Sequence, residues 1–443
     1  MLHKTVIVIG AGASGMMAAG RAAESGAVVL LLEKTAEPGK KILISGKTRC
    51  NLTNSKELDE FITMYGVNGN FLYHAFSHYF RKDLLEFLSR YGVETKTERG
   101  GRIFPVSDNA QDVVGAFKRY LSDNKVQIKT GVSVDKILVE KGCIAGVQAG
   151  AKTFPATAVI LAAGGASYPA TGSTGDGYKL ASAVGHTIIK LRPALVPLVV
   201  EEIERAKSMQ GVSLHNVRLT AWHCTAGEID ITKTPIKDTR RGIPGKRPQA
   251  PIIESRMGDM MFTHFGIGGP VTLQMSMPVV DALEHGFVSV TIDLKPALSQ
   301  KELEKRLQRD FDNFGKRSYH NILKEILPQK LIQPFLKMTG IPAEKYGNEI
   351  TAEERGRLLA LLKGLRFNIK SSLPMTVAMV TAGGISLKEI DPKTMGSRLV
   401  KGLYFSGEVM DIAAETGGYN LQAAFSTGYM AGESAADYVR ENM

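Results

Sequence analysis

Cysteine is scarce in this chain of 443 residues: Cys50, Cys143 and Cys224 lie far apart, with no Cys-x-x-Cys pair. A disulfide framework and a zinc ribbon are thereby excluded, and a reducing cytoplasm fits best. Long apolar runs are also missing. None reaches the roughly 18 to 20 residues of a bilayer span; the nearest, Thr5 to Gly20, is interrupted by glycines and Ser14. Lys4 ahead of that run gives it the outline of a secretory signal, but its glycines form a phosphate-binding turn instead. No internal repeat is visible, and the one low-complexity candidate is the basic loop near Thr239 to Gln249.

What is present is an ordinary globular composition, 44% hydrophobic and 22% charged, in a chain too long for one core, so about two or three domains are expected. Lys and Arg number 55 against 44 Asp and Glu, giving +11 and a pI near 9.3. That balance suits a polyanionic partner and equally suits modest basicity for solubility.

Thr5 to Ile9 reads as a buried parallel strand, Ser14 to Ser25 as a helix stopped by Gly26, and Ala27 to Leu32 as the next strand, ending on Glu33. This is one βαβ unit. Amphipathic helices follow from about Asn70 to Tyr91 and from about Asn109 to Asn124. Small strands and hairpins are expected from Val126 to Val147, and a buried strand from Ala156 to Ala162. Pro193 to Leu294 reads as β-rich. Between about Leu298 and Leu362, apolar residues recur at three- and four-residue spacing, which predicts a helical insertion. Strand character resumes at Leu365 to Lys370, Ala378 to Thr381 and Leu403 to Phe405, and a last helix runs from about Asn420 to Arg440.

Three constellations carry chemistry. Gly10-Ala11-Gly12-Ala13-Ser14-Gly15 follows a strand and opens a helix. Gly10 permits the tight turn, Gly12 lets a pyrophosphate approach the backbone, and Gly15 allows close packing of helix on strand. The helix N-terminus offers N–H donors to the phosphates. Glu33 is placed to accept hydrogen bonds from an adenosine ribose, and its charge repels a 2′-phosphate, which disfavours NADP at this site. The second constellation runs from Gly39 to Asn51 and includes Lys41, Ser45, Gly46, Arg49 and Cys50. Its small and basic residues suit a loop lying along a pyrophosphate and reaching an isoalloxazine ring; standing alone it would read as a solvated basic loop. The third joins Ser406-Gly407-Glu408 and Asp411 to Gly417-Gly418-Tyr419-Asn420. Acidic groups there suit ribityl hydroxyls, and the helix start suits the negative charge that develops on reduced flavin.

The segments GAGASG, GKKILISGKTRCNLTN, AAGGASYPATGSTGDGY, FTHFGIGGP, VTAGG and GLYFSGEVMDIAAETGGYN extend over nearly the whole chain. In them the sequence resembles the bacterial BaiN/RdsA-type family of NAD(P)/FAD-dependent oxidoreductases, which includes 3-dehydro-bile-acid reductases, aminoacetone oxidase and a ribosomal-RNA dihydrouridine synthase. The resemblance implies an α/β protein: a discontinuous Rossmann-like FAD-binding domain over residues 1–191 and 374–443, an inserted β-rich substrate domain over 192–295 and 363–373, and a small helical domain over 296–362. By the same resemblance, FAD contacts fall on Gly10, Gly12, Ser14, Gly15, Glu33, Lys34, Ser45, Arg49, Cys50, Asn51, Val134, Ala163, Gly164, Gly407, Glu408, Asn420 and Leu421. Asp411 to Glu415 departs from the family pattern, which more often has an Asp-Gly pair there.

Two residues are candidates for proton transfer. Cys50 has Ser55, not a second cysteine, five residues on, so a dithiol relay is disfavoured; it is either a proton donor or a small packing residue. His264, in Thr263-His264-Phe265-Gly266, suits protonation or orientation of a substrate, although a histidine beside apolar residues is more often structural. Tyr168 and Tyr419 sit in glycine-rich motifs where they either line a ring or pack. No second G-x-G-x-x-G follows a strand, so NAD(P)H, if used, docks transiently. Lys233, Lys237, Arg240, Arg241, Lys246 and Arg247 form the better candidate for an RNA surface. Lys305, Arg306, Arg309, Lys316 and Arg317 alternate with Glu302, Glu304, Asp310 and Asp312, as on a solvated helical face.

The expected function is an FAD-dependent reductase passing hydride from NAD(P)H to an activated C=C bond of a small molecule. The alternatives are a uridine reductase acting on structured ribosomal RNA, and an oxidase of a small amine that uses oxygen.

Overall fold

The computed structural model describes residues 5–240 and 248–442. The chain divides into two compact units: residues 1–194 with 375–443, and residues 195–374.

The first unit is built on a parallel sheet whose strands lie in the order Leu403–Phe405, Ala158–Leu161, Thr5–Ile9, Val28–Glu33 and Gln127–Thr130. The three central strands read almost continuously apolar, as strands covered on both faces do. Val6, Ile7 and Val8 are fully buried, as are Val159, Ile160 and Leu161. Two helices, Ala13–Glu24 and Tyr419–Glu441, come from opposite ends of the sequence and pack against each other. Their approach is set by small residues: a Cβ on Gly428 would lie 2.4 Å from the Ser14 carbonyl oxygen, and one on Gly432 would lie 2.4 Å from that of Ala18. An Arg21–Glu433 ion pair extends the same contact, with the Arg21 guanidinium 4.5 Å from the centre of the Tyr429 ring.

The helix expected from Asn70 to Tyr91 is two helices, Tyr73–His78 and Arg81–Arg90. The break falls at Tyr79 and Phe80, where local partners outweigh periodicity. The Asp83 carboxylate accepts the Phe80 N–H at 2.8 Å and starts a new helix, while the Tyr79 ring stacks on Tyr429 with centroids 4.6 Å apart. An antiparallel pair, Ile188–Ala194 with Val380–Ile385, stands where the chain leaves and re-joins this unit.

The second unit is a closed barrel of six strands, in the order Leu198–Val200, Gly266–Gly268, Ile252–Phe262, Ser213–Trp222, Val288–Asp293 and Leu365–Ser372. Four helices, Gln300–Asn313, Tyr319–Ile326, Gln329–Thr339 and Ala352–Lys363, share one apolar core with it, in which Leu219, Phe262, Phe311, Phe335 and Phe367 are buried. Two of these helices start on capping boxes, Ser299 with Glu302 and Thr351 with Glu354, which satisfy otherwise orphaned N–H groups. The region read as β-rich also contains a 14-residue helix, Pro270–Leu283. It is apolar on most sides and carries Pro278, which hid it. Its signals were Pro270 after Gly269, and Val271, Met275, Val279 and Ala282 at helical spacing. Among the described residues no helix is long and apolar enough to cross a membrane.

Two glycine substitutions test this packing. Gly432→Val drives side-chain atoms into the Ala18 carbonyl and is expected to cost about 1–3 kcal/mol. Gly356, exposed in the Ala352–Lys363 helix, has open space at its Cβ; Gly356→Ala is expected to gain roughly 0.5–1 kcal/mol. Urea midpoints of the two variants, moving in opposite directions, check both.

Candidate functional site

In the parallel sheet, connections run to one side after Thr5–Ile9 and to the other at Ala158–Leu161. Ligands of open α/β sheets bind beyond the strand ends at such a reversal. Two turns meet there. A Cβ on Gly10, at φ +99°, would lie 2.7 Å from the Ala162 carbonyl oxygen and 3.0 Å from Ala163 Cα. A Cβ on Gly15 would overlap the Gly10 carbonyl oxygen at 1.8 Å. The fold itself therefore demands both glycines. Gly12 is different: nothing lies within 4 Å of its Cβ position, and its φ of −77° is open to any residue. It caps the Ala13–Glu24 helix without a side-chain bond, and no acid occupies the first turn. The first-turn N–H groups of Ala13, Ser14 and Gly15 have no acceptor within the helix, and they lie at its positive end.

Glu33 is nearly buried, and its carboxylate accepts the Ala11 N–H at 2.7 Å and the Thr35 N–H at 2.8 Å. Each oxygen retains a lone pair for a further donor. Lys34 turns instead to Asp176, at 2.6 Å, and to Thr174. This pair holds the loop around Gly172 against Thr35 and Glu33, from which a Gly172 Cβ would stand 2.9 and 3.8 Å. Val134 is buried just beyond the Gln127–Thr130 strand, where the Val132 N–H reaches the Glu33 carbonyl at 2.9 Å. Gly164, at φ +69°, faces Ser173.

The loop from Gly39 to Asn51 is tied to the glycine turn by the Gly39 N–H donating to the Ala11 carbonyl at 2.8 Å. Lys47, Thr48 and Cys50 take left-handed backbone at φ 58°, 67° and 63°, a strained state in side-chain-bearing residues that persists only where surroundings enforce it. The enforcing contacts are the Cys50 N–H to Ser45 carbonyl, the Arg49 N–H to Gly46 carbonyl and the Ala110 N–H to Thr48 carbonyl bonds. Ser45 Oγ donates to the Ile42 carbonyl. Arg49 grips Glu98 with both Nη atoms, at 2.8 and 3.2 Å, and lies 4.1 Å from the Phe104 ring centre. That grip holds the Glu98 carboxyl below its usual range. Asn51 Oδ1 is buried without a protein partner, an exception that in a native structure calls for a ligand, an ion or water.

Lys41 Nζ reaches Glu408 at 2.6 Å and Ser167 Oγ at 2.8 Å. Glu408 also accepts the Thr381 N–H at 2.8 Å. Asp411 accepts the Gly383 N–H at 3.1 Å and the Asn68 amide at 3.1 Å. Both carboxylates are thus engaged within the protein, which brings them into the site as braces of its walls. Gly407, at φ +72°, would put a Cβ 2.6 Å from Ser14 Oγ, and Ser14 in turn donates to the Ser406 carbonyl at 3.4 Å. Asn420 bonds Ala414 N–H, Ala414 carbonyl and Glu415 carbonyl, which fixes the departing loop from Asp411 to Glu415. Gly418 caps the final helix, again with no acid in the first turn, where Leu421 also sits; its Cβ would be 2.3 Å from the Thr53 carbonyl.

Sequence reasoning missed Ser167, Asp176, Glu98 and Thr381. Ser167, Asp176 and Thr381 lie in motifs already quoted, but as partners of Lys41, Lys34 and Glu408 they emerge only once distant segments meet. The two candidates for proton transfer fall in different units. Cys50 is fully buried, and desolvation pushes its thiol up to about 12. His264 is exposed in the turn between Ile252–Phe262 and Gly266–Gly268, edge-on to Phe265. Of the first basic cluster, Arg241, Lys246 and Arg247 lie outside the described residues, and Lys233 pairs with Asp230 at 3.7 Å. In the second, Arg306 and Arg309 both pair with Asp310.

The profile of the HI0933-like protein Rossmann domain matches residues 4–434. The chain belongs to the HI0933-like family. A 3-dehydro-bile acid delta(4,6)-reductase from Clostridium scindens is 34% identical to this HI0933-like protein over 434 residues, covering 97% of this chain and 98% of that one. A ribosomal RNA dihydrouridine synthase from Escherichia coli is 27% identical over 427 residues, covering 96% of each. In fold it is similar to a flavocytochrome c3 fumarate reductase, with a TM-score of 0.52 at 15% identity over 99% of this chain and 79% of the other. This HI0933-like protein is an FAD-dependent flavoprotein oxidoreductase.

A thiol with a raised folded-state pKa stabilises the fold below its unfolded value, near 8.5, and loses that contribution as pH rises towards about 12. At pH 8 Cys50 is expected to escape iodoacetamide while Cys143, half-buried, reacts; mass spectrometry before and after denaturation checks it.

Proposed function

We propose that this protein takes hydride from NAD(P)H onto FAD and delivers it to a C=C bond polarised by a conjugated carbonyl in a small molecule. The observation that carries this reading is the turn in which the fold requires Gly10 and Gly15 while Gly12 borders open space, in a chain 34% identical to a relative named for reduction of delta(4,6) bonds. The residues fit FAD: Asn51 Oδ1 is a buried acceptor awaiting a donor, and two helices present uncapped N-termini.

Bound FAD supplies the redox chemistry, storing two electrons and passing them as hydride to an electron-poor carbon. The chain supplies binding and orientation. Gly12 and the N–H groups of Ala13, Ser14 and Gly15 receive the pyrophosphate, and Glu33 receives ribose hydroxyls on its free lone pairs. Ala163, Gly164 and Val134 line the adenosine side. On the flavin side, Asn51 Oδ1 would accept from the ring or ribityl chain, and the N–H groups of Asn420 and Leu421 would stabilise the negative charge of reduced flavin. Lys41, Glu408 and Asp411 hold the surrounding walls at fixed spacing. The three free thiols suit work in the cytoplasm.

A second reading, reduction of uridine in structured RNA, draws on the net charge of +11 and on the similarity to ribosomal RNA dihydrouridine synthases at 27% and 29% identity. It requires strongly salt-dependent RNA binding, and no affinity at low salt removes it.

Gly12→Val is expected to fold as the wild type does, because its Cβ meets nothing, yet to purify colourless; retained FAD content refutes the pyrophosphate assignment. Anaerobic titration with NADH and NADPH tests the donor. Rapid bleaching of the visible flavin band supports the reductase reading; absence of bleaching by both dinucleotides overturns it and favours an amine as the reductant.

A further inference from the structure

The hairpin Thr95–Glu98 and Arg102–Pro105, in the first unit, turns through Arg99, Gly100 and Gly101. Gly100 and Gly101 both take positive φ, 78° and 74°, a left-handed backbone that favours glycine, and Arg99 and Arg102 at the ends of the turn are exposed. Arg102 Nε bonds back to the Arg99 carbonyl at 3.1 Å, and its guanidinium lies 5.7 Å from the Phe104 ring centre. The strained loop packs on the same ring: a Cβ on Gly46 would be 3.2 Å from Phe104, and Lys47 follows it, exposed. Arg102 thus lies near the Phe104 ring and is tied to Arg99, and Lys47 follows directly on the glycine that packs against the same ring.

Their neighbours are electrostatically spent. Arg49 takes Glu98 and also Asp108, Lys96 takes Asp108, Arg81 takes Glu57, and Lys56 takes Glu60. Lys47, Arg99 and Arg102 have no carboxylate partner among the described residues. The patch is also wired to the cofactor loops. A Cβ on Gly101 would lie 2.5 Å from Ser55 Oγ and 2.7 Å from Asn54 Oδ1. Asn54 Nδ2 donates to the Gly100 carbonyl at 3.1 Å and to the Gly417 carbonyl at 3.0 Å. One amide thus joins the cationic turn to the start of the final helix, three residues along the chain from Asn51.

We infer that Lys47, Arg99 and Arg102 are the docking site for the phosphates of the reduced nicotinamide dinucleotide. This rests on the NAD(P)H-donor reading above. The sequence has no second glycine-rich strand-turn-helix to hold a dinucleotide, which leaves exposed cations beside the cofactor loops as the means of holding the donor's phosphates. Unpaired guanidinium groups match phosphate oxygens in geometry as well as charge. Because the patch is solvated, its contribution is screened by salt, and a donor with a 2′-phosphate gains more from it than one without.

The test is anaerobic stopped-flow reduction of the FAD-loaded protein by NADH and by NADPH, with wild type, Arg99→Gln/Arg102→Gln and Arg99→Lys/Arg102→Lys. Visible spectra and FAD content report folding independently of turnover. The Gln pair is expected to raise the donor Kd by about tenfold, on the order of 1.4 kcal/mol, and to flatten its salt dependence. The limiting rate and FAD content stay unchanged, and the Lys pair recovers most of the affinity. A wild-type Kd in the Gln pair overturns the docking site while leaving the donor reading intact. Failure of both dinucleotides to reduce wild type removes the donor reading and this inference with it. Loss of RNA retention in the Gln pair with unchanged donor Kd overturns the assignment in favour of RNA.

Discussion

Backbone-to-backbone approach of the first and last helices is the constraint on which this molecule depends. The carbonyl oxygens of Ser14 and Ala18 occupy the space that side chains at Gly428 and Gly432 would fill. Gly407 meets Ser14 from the other side, and Thr427 Oγ1 accepts the Gly407 N–H at 3.0 Å. Ser14 begins the helix that faces the phosphate position, so the geometry of that turn is held by residues nearly the whole sequence away. Dispersion at such close range is strong for its area but tolerates no added atoms. The phosphate turn is rigid because the end of the chain leaves it no alternative.

The charged groups obey a similar economy. Around the site, Glu33 is fastened by two backbone N–H groups, Glu408 by Lys41, Ser167 and Thr381, and Asp411 by Gly383 and Asn68. Half-buried carboxylates held this way keep their positions whether or not a ligand is present, which is the condition for orienting a cofactor rather than collapsing around it. The cations split into two sets: Lys34, Lys41 and Arg49 serve the walls, while Lys47, Arg99 and Arg102 face solvent.

The opening βαβ unit was legible because its strand, glycines, helix and Glu33 are consecutive, so local rules suffice. The final helix and the helical run after residue 298 were legible for the same reason, the latter through apolar residues at three- and four-residue spacing. Two failures have distinct causes. The break at Tyr79 and Phe80 depends on Tyr429, far along the chain, and on a capping contact from Asp83 that periodicity does not register. The Pro270–Leu283 helix is apolar on most sides and carries Pro278 inside it, so the helical spacing of its buried residues is hard to separate from the pattern of a buried strand. At the site, Glu33 and Gly12 could be assigned roles from neighbours in sequence. The pairing of Lys34 with Asp176 and of Lys41 with Glu408 could not, since each joins segments separated by well over a hundred residues.

The antiparallel pair of Ile188–Ala194 and Val380–Ile385, which brackets residues 195–374 in the sequence, has a consequence for how the protein is made. Everything from residue 195 to 374 emerges from a ribosome before the strand Leu403–Phe405 and the helix Tyr419–Glu441 exist. Until they arrive, Ala158–Leu161 is an open apolar sheet edge, and the face of the first helix that will receive Gly428 and Gly432 stands in water. Because the strand Leu403–Phe405 and the helix Tyr419–Glu441 are synthesised last, the parallel sheet can be completed only after residues 195–374 have emerged. The vulnerable interval of the sheet is the time needed to synthesise the inserted unit and the tail, and a chain terminated early would keep an unpaired apolar sheet edge.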